Sequence, residues 1–358
     1  MRKVLNHHVV YVVPTGARKA LYLEEKFIVP LENAGAEVWI MPTDMARSII
    51  PEYEKFKIQY NVKDNFSSQK NWLVPEEEIV VVAPCSFDTF NKMAYGIADN
   101  YALSIIHSAI GKGKKIIIAP AMDQSLWNNF NTKECFDRLS KQKNISIIYP
   151  EVFHDDEGNV IKISMAPYEK VLDAVIREFV TIKYNHEKRK GSIDHIREKY
   201  YSQFKDIGAQ LEKDGLTRGK AGFIAIKIPE GILTTATTSE VGNLNPCDLT
   251  LVTEVKKAKV YWQGDKPPTS EFPLVYDIFN STNKNAIIHG HCSKITYNPK
   301  KEMYLTEKYI PYGTWKSVSP VMDVLSKSDG FAIMRLHGEI VIADSLEEAI
   351  SKYREMSM

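Results

Sequence analysis

Val82-Ala83-Pro84-Cys85-Ser86-Phe87-Asp88-Thr89-Phe90-Asn91-Lys92 runs from an aliphatic stretch, through a proline and two small residues, into a helical pattern. The aliphatic part, Ile79–Ala83, shows no polar alternation. A strand of that kind is buried on both faces, as in a parallel sheet covered by helices. Four other runs have the same form: Val9–Val13, Glu37–Met41, Lys115–Ala119 and Ile145–Tyr149. Helical stretches fall between or after them, at Arg18–Asn33, Asp88–Ile110, Thr132–Lys141 and Pro167–Val180. Gly35, after Asn33-Ala34, stops the first helix ahead of the second strand. This alternation predicts an α/β fold for the first half, a doubly wound, Rossmann-like parallel sheet.

Ligands of such sheets sit at the carboxyl ends of the strands. Those ends read Pro14-Thr15-Gly16, Pro42-Thr43, Pro84-Cys85-Ser86 and Pro120-Ala121-Met122. Small residues let main-chain N–H groups approach a phosphate, and the following helix adds its positive end. Thr15, Gly16 and Ala17 could cradle that phosphate, and Thr43, Ser86 and Thr89 could donate hydroxyl hydrogen bonds. The plain alternative is a set of tight strand-to-helix turns.

The 358 residues suit two domains, and 44% hydrophobic with 25% charged residues is ordinary for a soluble protein. A net charge of +1 gives no footprint for nucleic acid or an anionic membrane surface. No apolar run reaches the length of a membrane helix, and Val9–Val13 is too short for a signal sequence. Four scattered cysteines without a CxxC pair indicate neither a disulfide frame nor a zinc knuckle. That usage fits a reducing cytoplasmic setting.

Residues 183–205 are highly charged and helical in pattern, and are expected as a helical linker between domains at 1–182 and 206–358. From Gly215 onward, close-set runs at Phe223–Ile228, Ile232–Thr235, Leu249–Thr253 and Lys259–Trp262 alternate with turn signals. That texture predicts an antiparallel α+β domain. Within it, Ala286-Ile287-Ile288 leads into His289-Gly290-His291. Imidazoles two apart on a strand face the same way and can share one metal ion. Arg335-Leu336-His337-Gly338 follows another apolar run and could supply a third histidine. Two histidines in a strand are also an ordinary surface feature; the order of Ser270-Glu271, His289-Gly290-His291 and Leu336-His337-Gly338 is much less expected by chance.

The block Val82–Lys92 with Gly96-Ile97-Ala98-Asp99, and the block Ala119-Pro120-Ala121-Met122-Asp123 through Trp127, resemble the signatures of the FMN-containing cysteine decarboxylase superfamily, over about residues 7–180. The resemblance implies an FMN-binding, decarboxylase-like flavoprotein domain. The strand-end residues Thr15, Gly16, Ala17, Thr43, Ser86 and Thr89, together with Met122 and Asp123, would lie at the flavin. Two departures bear on chemistry. The stretch Ser67–Glu78, where the decarboxylases place a catalytic histidine, contains none. Two asparagines of the family pattern are Asp88 and Asp123 here. An acidic group facing a substrate carboxylate is repulsive, so decarboxylation is not expected.

Gly215–Gly222, Ile232–Leu244, Pro267-Pro268-Thr269-Ser270-Glu271, His289-Gly290-His291, Tyr309–Thr314 and Leu336-His337-Gly338 occur in the order of the class II aldolase/adducin family, and the resemblance covers about 206–356. It implies zinc held by His289, His291 and His337, with Glu271 as the catalytic carboxylate. Tyr304, Tyr309 and Tyr312 stand as candidate proton donors. The family's phosphate turns are altered here to Gly222-Phe223-Ile224-Ala225 and Thr235-Ala236-Thr237-Thr238. The expectation is a zinc-dependent, aldolase-like lyase acting on a small hydroxy-carbonyl or sugar-phosphate substrate, fused to an FMN-binding domain. Both resemblances imply a homo-oligomer with a small-molecule substrate, and the charge and cysteine usage above add the expectation of a cytoplasmic protein with no nucleic-acid or membrane partner. Two alternatives stand beside it: a flavin enzyme with a non-catalytic aldolase-like module, and a scaffold degenerate in both halves.

Overall fold

The computed structural model describes residues 3–65, 74–155, 157–299 and 304–357. The expected absence of a histidine in Ser67–Glu78 falls largely outside the described residues. The chain divides into two compact units, Met1–Phe179 and Val180–Met358.

The first unit carries a six-stranded parallel sheet. Its strands are β1 (Val9–Val13), β2 (Glu37–Ile40), β3 (Asn61–Val62), β4 (Ile79–Cys85), β5 (Lys115–Pro120) and β6 (Ile145–Ile147). They lie in the order β3-β2-β1-β4-β5-β6. The order reverses between β1 and β4, which opens a crevice at their carboxyl ends. Every residue of β1 and β4 is buried. The expected helix Asp88–Ile110 is two helices, Phe87–Tyr95 and Tyr101–Gly111, broken at Gly96 with φ +74°. A hairpin of β7 (Glu151–His154) and β8 (Val160–Ser164) follows the sheet, then the helix Tyr168–Phe179.

The second unit is built on an eight-stranded sheet. Its strands are β9 (Asn185–Lys188), β10 (Phe223–Ile228), β11 (Gly231–Thr235), β12 (Leu249–Lys256), β13 (Lys259–Gly264), β14 (Ala286–Gly290), β15 (Phe331–Met334) and β16 (Gly338–Ala343). The order is β15-β16-β14-β10-β11-β12-β13-β9, antiparallel except for the β13–β9 edge. One face packs the helices Asp194–Lys213 and Leu346–Ser357. The other packs Phe272–Ser281 and Val318–Leu325.

The stretch 183–205, expected as a helical linker, is part of this second unit. Asn185–Lys188 pairs with β13, and Ile193, Ile196 and Phe204 enter the core beneath the helix that starts at Asp194. The charges that made the stretch read as solvated occupy the outer side of an amphipathic helix and an exposed edge strand.

Candidate functional sites, one in each unit

In the first unit, the crevice at the switch point has a volume of about 970 Å³. Gly16, Ala17, Thr43, Ser86, Thr89, Met122 and Asp123 line it, with Arg18, Lys19 and Lys92 at hand. Thr15 stands one residue behind the lining and is fully buried. Its hydroxyl donates to Pro84 O at 2.8 Å and accepts from Ser86 N at 2.7 Å, which pins the ends of β1 and β4 together.

Three of the polar side chains at the strand ends cap the next helix. Thr43 Oγ1 accepts from Ala46 N, Ser86 Oγ from Thr89 N, and the Asp123 carboxylate from Leu126 N. Each satisfies an N–H that a helix start would otherwise leave open. A Cβ on Gly16 would lie 2.6 Å from Met45 Cβ, so the approach at that strand end needs glycine. Asp88 is not an isolated charge: Lys92 Nζ lies 3.0 Å from it and 2.8 Å from Asp99, and the two carboxylates raise the Lys92 pKa. His107 lies outside the crevice lining, on the helix Tyr101–Gly111, with Nε2 3.2 Å from Ile97 O.

In the second unit, the three motif histidines converge. Ligand atoms of His289, His291 and His337 all lie within 4.8 Å of one another. Their ring centroids are 4.6 Å (His289–His291), 5.4 Å (His289–His337) and 5.6 Å (His291–His337) apart. His289 is the penultimate residue of β14 and is 1% exposed. His337 closes the three-residue turn from β15 to β16 and is 5% exposed. That turn places Leu336 at φ +56°, a left-handed conformation rare for a bulky residue and concentrated at functional sites.

Main-chain carbonyls fix two of the ring tautomers. His289 Nδ1 lies 2.7 Å from Glu339 O, and His337 Nδ1 lies 2.9 Å from Ile310 O. A carbonyl only accepts, so each Nδ1 carries a proton, and Nε2 is the nitrogen left for another partner. His337 Nε2 faces Glu271 Oε1 at 3.3 Å. A buried carboxylate at that distance calls for positive charge between the two atoms, which a proton on Nε2 or a bound cation would supply. The donor set therefore fits a divalent metal ion, for which three imidazoles are ordinary ligands.

Glu271 is 6% exposed and precedes the helix Phe272–Ser281 without a side-chain cap to it, and Pro273 suits the first turn. Gly313 N donates to its Oε2 at 3.1 Å, leaving Oε1 toward His337. A Cβ on Gly313, at φ +65°, would lie 2.6 Å from Ser270 O. Gly338 permits the convergence itself, since a Cβ there would lie 2.3 Å from Gly290 O and 2.8 Å from His289 Cε1.

Of the three tyrosines, Tyr309 stands beside the histidines, with its ring 6.4 Å from His337. Tyr312 is buried, donates to Val180 O at 2.6 Å and lies under Lys183. Tyr304 packs on Phe331. In the altered phosphate turns, Phe223 sets its ring 5.2 Å from that of His289, and Thr235 Oγ1 accepts from Ile224 N at 3.2 Å.

Sequence reasoning did not single out Glu339. It is fully buried; its carboxylate accepts from Thr296 Oγ1 at 2.5 Å, Tyr353 Oη at 2.6 Å and Cys292 N at 3.0 Å. Burial pushes its carboxyl up to about 7, against the pull of those donors. The available signal was an acid inside the apolar run Gly338-Glu339-Ile340-Val341-Ile342-Ala343.

Residues 2–180 match the flavoprotein family model, and residues 202–357 match the class II aldolase and adducin N-terminal domain model. The chain belongs to the flavoprotein family and joins to that half a class II aldolase and adducin domain. Several curated proteins are similar over part of the chain. The flavoprotein match is accompanied by a putative phosphopantothenoylcysteine decarboxylase from Dictyostelium discoideum, 34% identical over 108 residues, covering 30% of this chain and 53% of that protein. A 5-methylthioribulose-1-phosphate/5-deoxyribulose-1-phosphate aldolase from Rhodospirillum rubrum is 26% identical over 87 residues, covering 24% of this chain and 38% of that one. A probable thymidylate synthase from Schizosaccharomyces pombe is 31% identical over 153 residues, 39% of this chain and 24% of that protein. The chain thus spans about half or less of the length of these relatives. Among solved structures, an FMN-binding protein aligns over 48% of this chain and 95% of its own, at 23% identity and a TM-score of 0.41.

Proposed function

We propose that the aldolase-type half is a metal-dependent lyase that cleaves, or moves a proton on, a small hydroxy-carbonyl substrate, and that the flavoprotein half binds FMN in the switch-point crevice. The observation that carries the first part is the convergence of the three imidazoles, with ligand atoms within 4.8 Å of one another, beside a buried carboxylate 3.3 Å from His337 Nε2. His289, His291 and His337 would hold a divalent ion, zinc in the first instance. When bound, such an ion supplies a Lewis acid that stabilises negative charge on a substrate oxygen.

The chain's own groups do the rest. Glu271, held through Gly313 N, is placed to take the proton of the substrate hydroxyl. As that proton leaves, the bond between the hydroxyl-bearing carbon and its neighbour breaks, giving an aldehyde or ketone and an enolate. A proton then returns to the enolate carbon, from Glu271 or from Tyr309. The ring of Phe223 beside His289 and the engaged Thr235 hydroxyl favour a substrate without a phosphate at that end. In the flavoprotein half, the strand-end crevice with Gly16 and the basic Arg18, Lys19 and Lys92 in its lining favours a phosphate-bearing ligand such as FMN, a redox cofactor. Asp88 and Asp123 argue against a carboxylate substrate and so against cysteine decarboxylation.

The test is metal content by mass spectrometry, with a visible spectrum, on native protein and on His289→Ala. About one metal ion per chain, lost in the variant, is expected, with flavin absorption in both. Flavin without metal would sink the lyase reading and leave a flavin enzyme with an inert second half.

A further inference from the structure

Glu339 belongs to neither set of groups invoked above, yet each of the three histidines reaches it by a short route. Its main-chain carbonyl accepts from His289 Nδ1 at 2.7 Å. Its Oε2 accepts from Cys292 N at 3.0 Å, directly after His291. His337 lies two residues before it, at the turn into β16. The side chain points away from the imidazoles. Val341 and Ala343 share its face and pack with Ile288 and Tyr353, whereas Ile340 and Ile342 pack with Phe223 and Ile287 on the side of His289. On its own face Glu339 accepts from Tyr353 Oη at 2.6 Å, and so binds to the C-terminal helix Leu346–Ser357. Tyr353 Oη also sits where any Cβ on Gly290, between the two histidines, would have to go, at 2.1 Å. Thr296 Oγ1 fills the remaining oxygen, so every carboxylate contact is with a donor.

A buried carboxylate is costly, and an apolar residue of similar volume would serve stability about as well. What the acid adds is direction: three donors from two segments meet on one side chain whose backbone orients a ligand. Outer groups of this kind fix ring orientation and tune metal affinity.

We propose that Glu339 is a positioning residue for the histidine triad, bracing the segment His289-Gly290-His291 at its Cys292 end to the helix Leu346–Ser357 through Tyr353 from the opposite face of the sheet. This rests on the metal-site reading above.

The test is titration of the full-length protein with Co2+, read as chelator-competed affinity and as the visible ligand-field spectrum. Glu339→Leu and Tyr353→Phe are compared with wild type, with Glu339→Gln, and with Val260→Ala. Val260 is buried on β13, away from the triad, and controls for lost stability. Glu339→Leu is expected to weaken binding about 10- to 100-fold and to alter the spectrum, with Tyr353→Phe moving in the same direction. Glu339→Gln, whose amide oxygen can meet Tyr353 and Cys292 while its NH2 donates to Thr296, is expected to restore most of the affinity. Wild-type affinity and spectrum in both Glu339→Leu and Tyr353→Phe would overturn the assignment while the metal site stands. An equal loss in Val260→Ala would also overturn it, since the effect would then follow stability alone. No Co2+ binding by wild type would remove the metal reading and this inference together.

Discussion

Gly338 is the residue on which the triad's geometry most depends. A methyl group there would lie 2.8 Å from His289 Cε1 and 3.3 Å from His291 Cε1, with main-chain oxygen closer still. The backbone cannot move aside cheaply, because β16 pairs with both β14 and β15. Gly338→Ala is therefore expected to cost about 1–3 kcal/mol in stability and to lower metal affinity by at least ~10-fold, checked by denaturant unfolding and metal competition. Asp248 offers a second prediction at this scale. Burial alone would raise its pKa, but the Lys266 ammonium at 2.6 Å, Asn245 N and Ser239 Oγ together hold it below the usual carboxylate range. A depressed folded-state pKa stabilises above the ordinary carboxylate value, and that contribution is lost as pH falls through it. Unfolding followed from pH 7 down to about 3 should show a smaller loss of stability in Asp248→Asn than in wild type, most of the difference arising below about pH 4.

At the scale of elements, strand ends and helix starts are joined by single side chains. Ser86 caps the helix Phe87–Tyr95 and donates a hydrogen bond from its own N–H to the Thr15 hydroxyl. Ser86→Ala is expected to cost about 1 kcal/mol in the flavoprotein half, measured by thermal unfolding. If the hydroxyl also meets a bound flavin, flavin affinity falls beyond what that loss explains. Five strands of the parallel sheet were legible as aliphatic runs, and so was the crevice at their ends. Asn61–Val62 was not, because two residues carry no periodicity. Asn185–Lys188 was not either: all four residues are exposed and polar, and only the free edge of β13 makes them a strand. His289, His291 and His337 stood out because imidazoles are rare at the ends of apolar runs, whereas Glu271, in a Pro-Pro-Thr-Ser-Glu stretch, was singled out as catalytic only through the family resemblance. Glu339 was passed over because its partners Thr296 and Tyr353 lie 43 and 14 residues away and carry no motif.

At the scale of the whole molecule, each unit closes its own apolar core, around the parallel sheet in one and on both faces of the mixed sheet in the other. Calorimetry is expected to resolve two transitions, with Zn2+ raising only the one that His289→Ala makes insensitive to metal, and FMN raising only the other. A ligand at 100 times its Kd adds about 2.7 kcal/mol to the unit that binds it, a shift easily read. A single transition moved equally by both ligands would count against independent units. The groups that orient His289 and His337 are carbonyls of the peptide backbone, at Glu339 and Ile310. No exchange of side chains deletes a carbonyl. Descendants of this chain can therefore drift at many neighbouring positions, so long as Glu339 and its donors hold the strand that carries its carbonyl, and still inherit two correctly turned imidazoles. The aim of those rings is a property of the fold, handed down with it, while the identity of whatever they act upon stays open to selection.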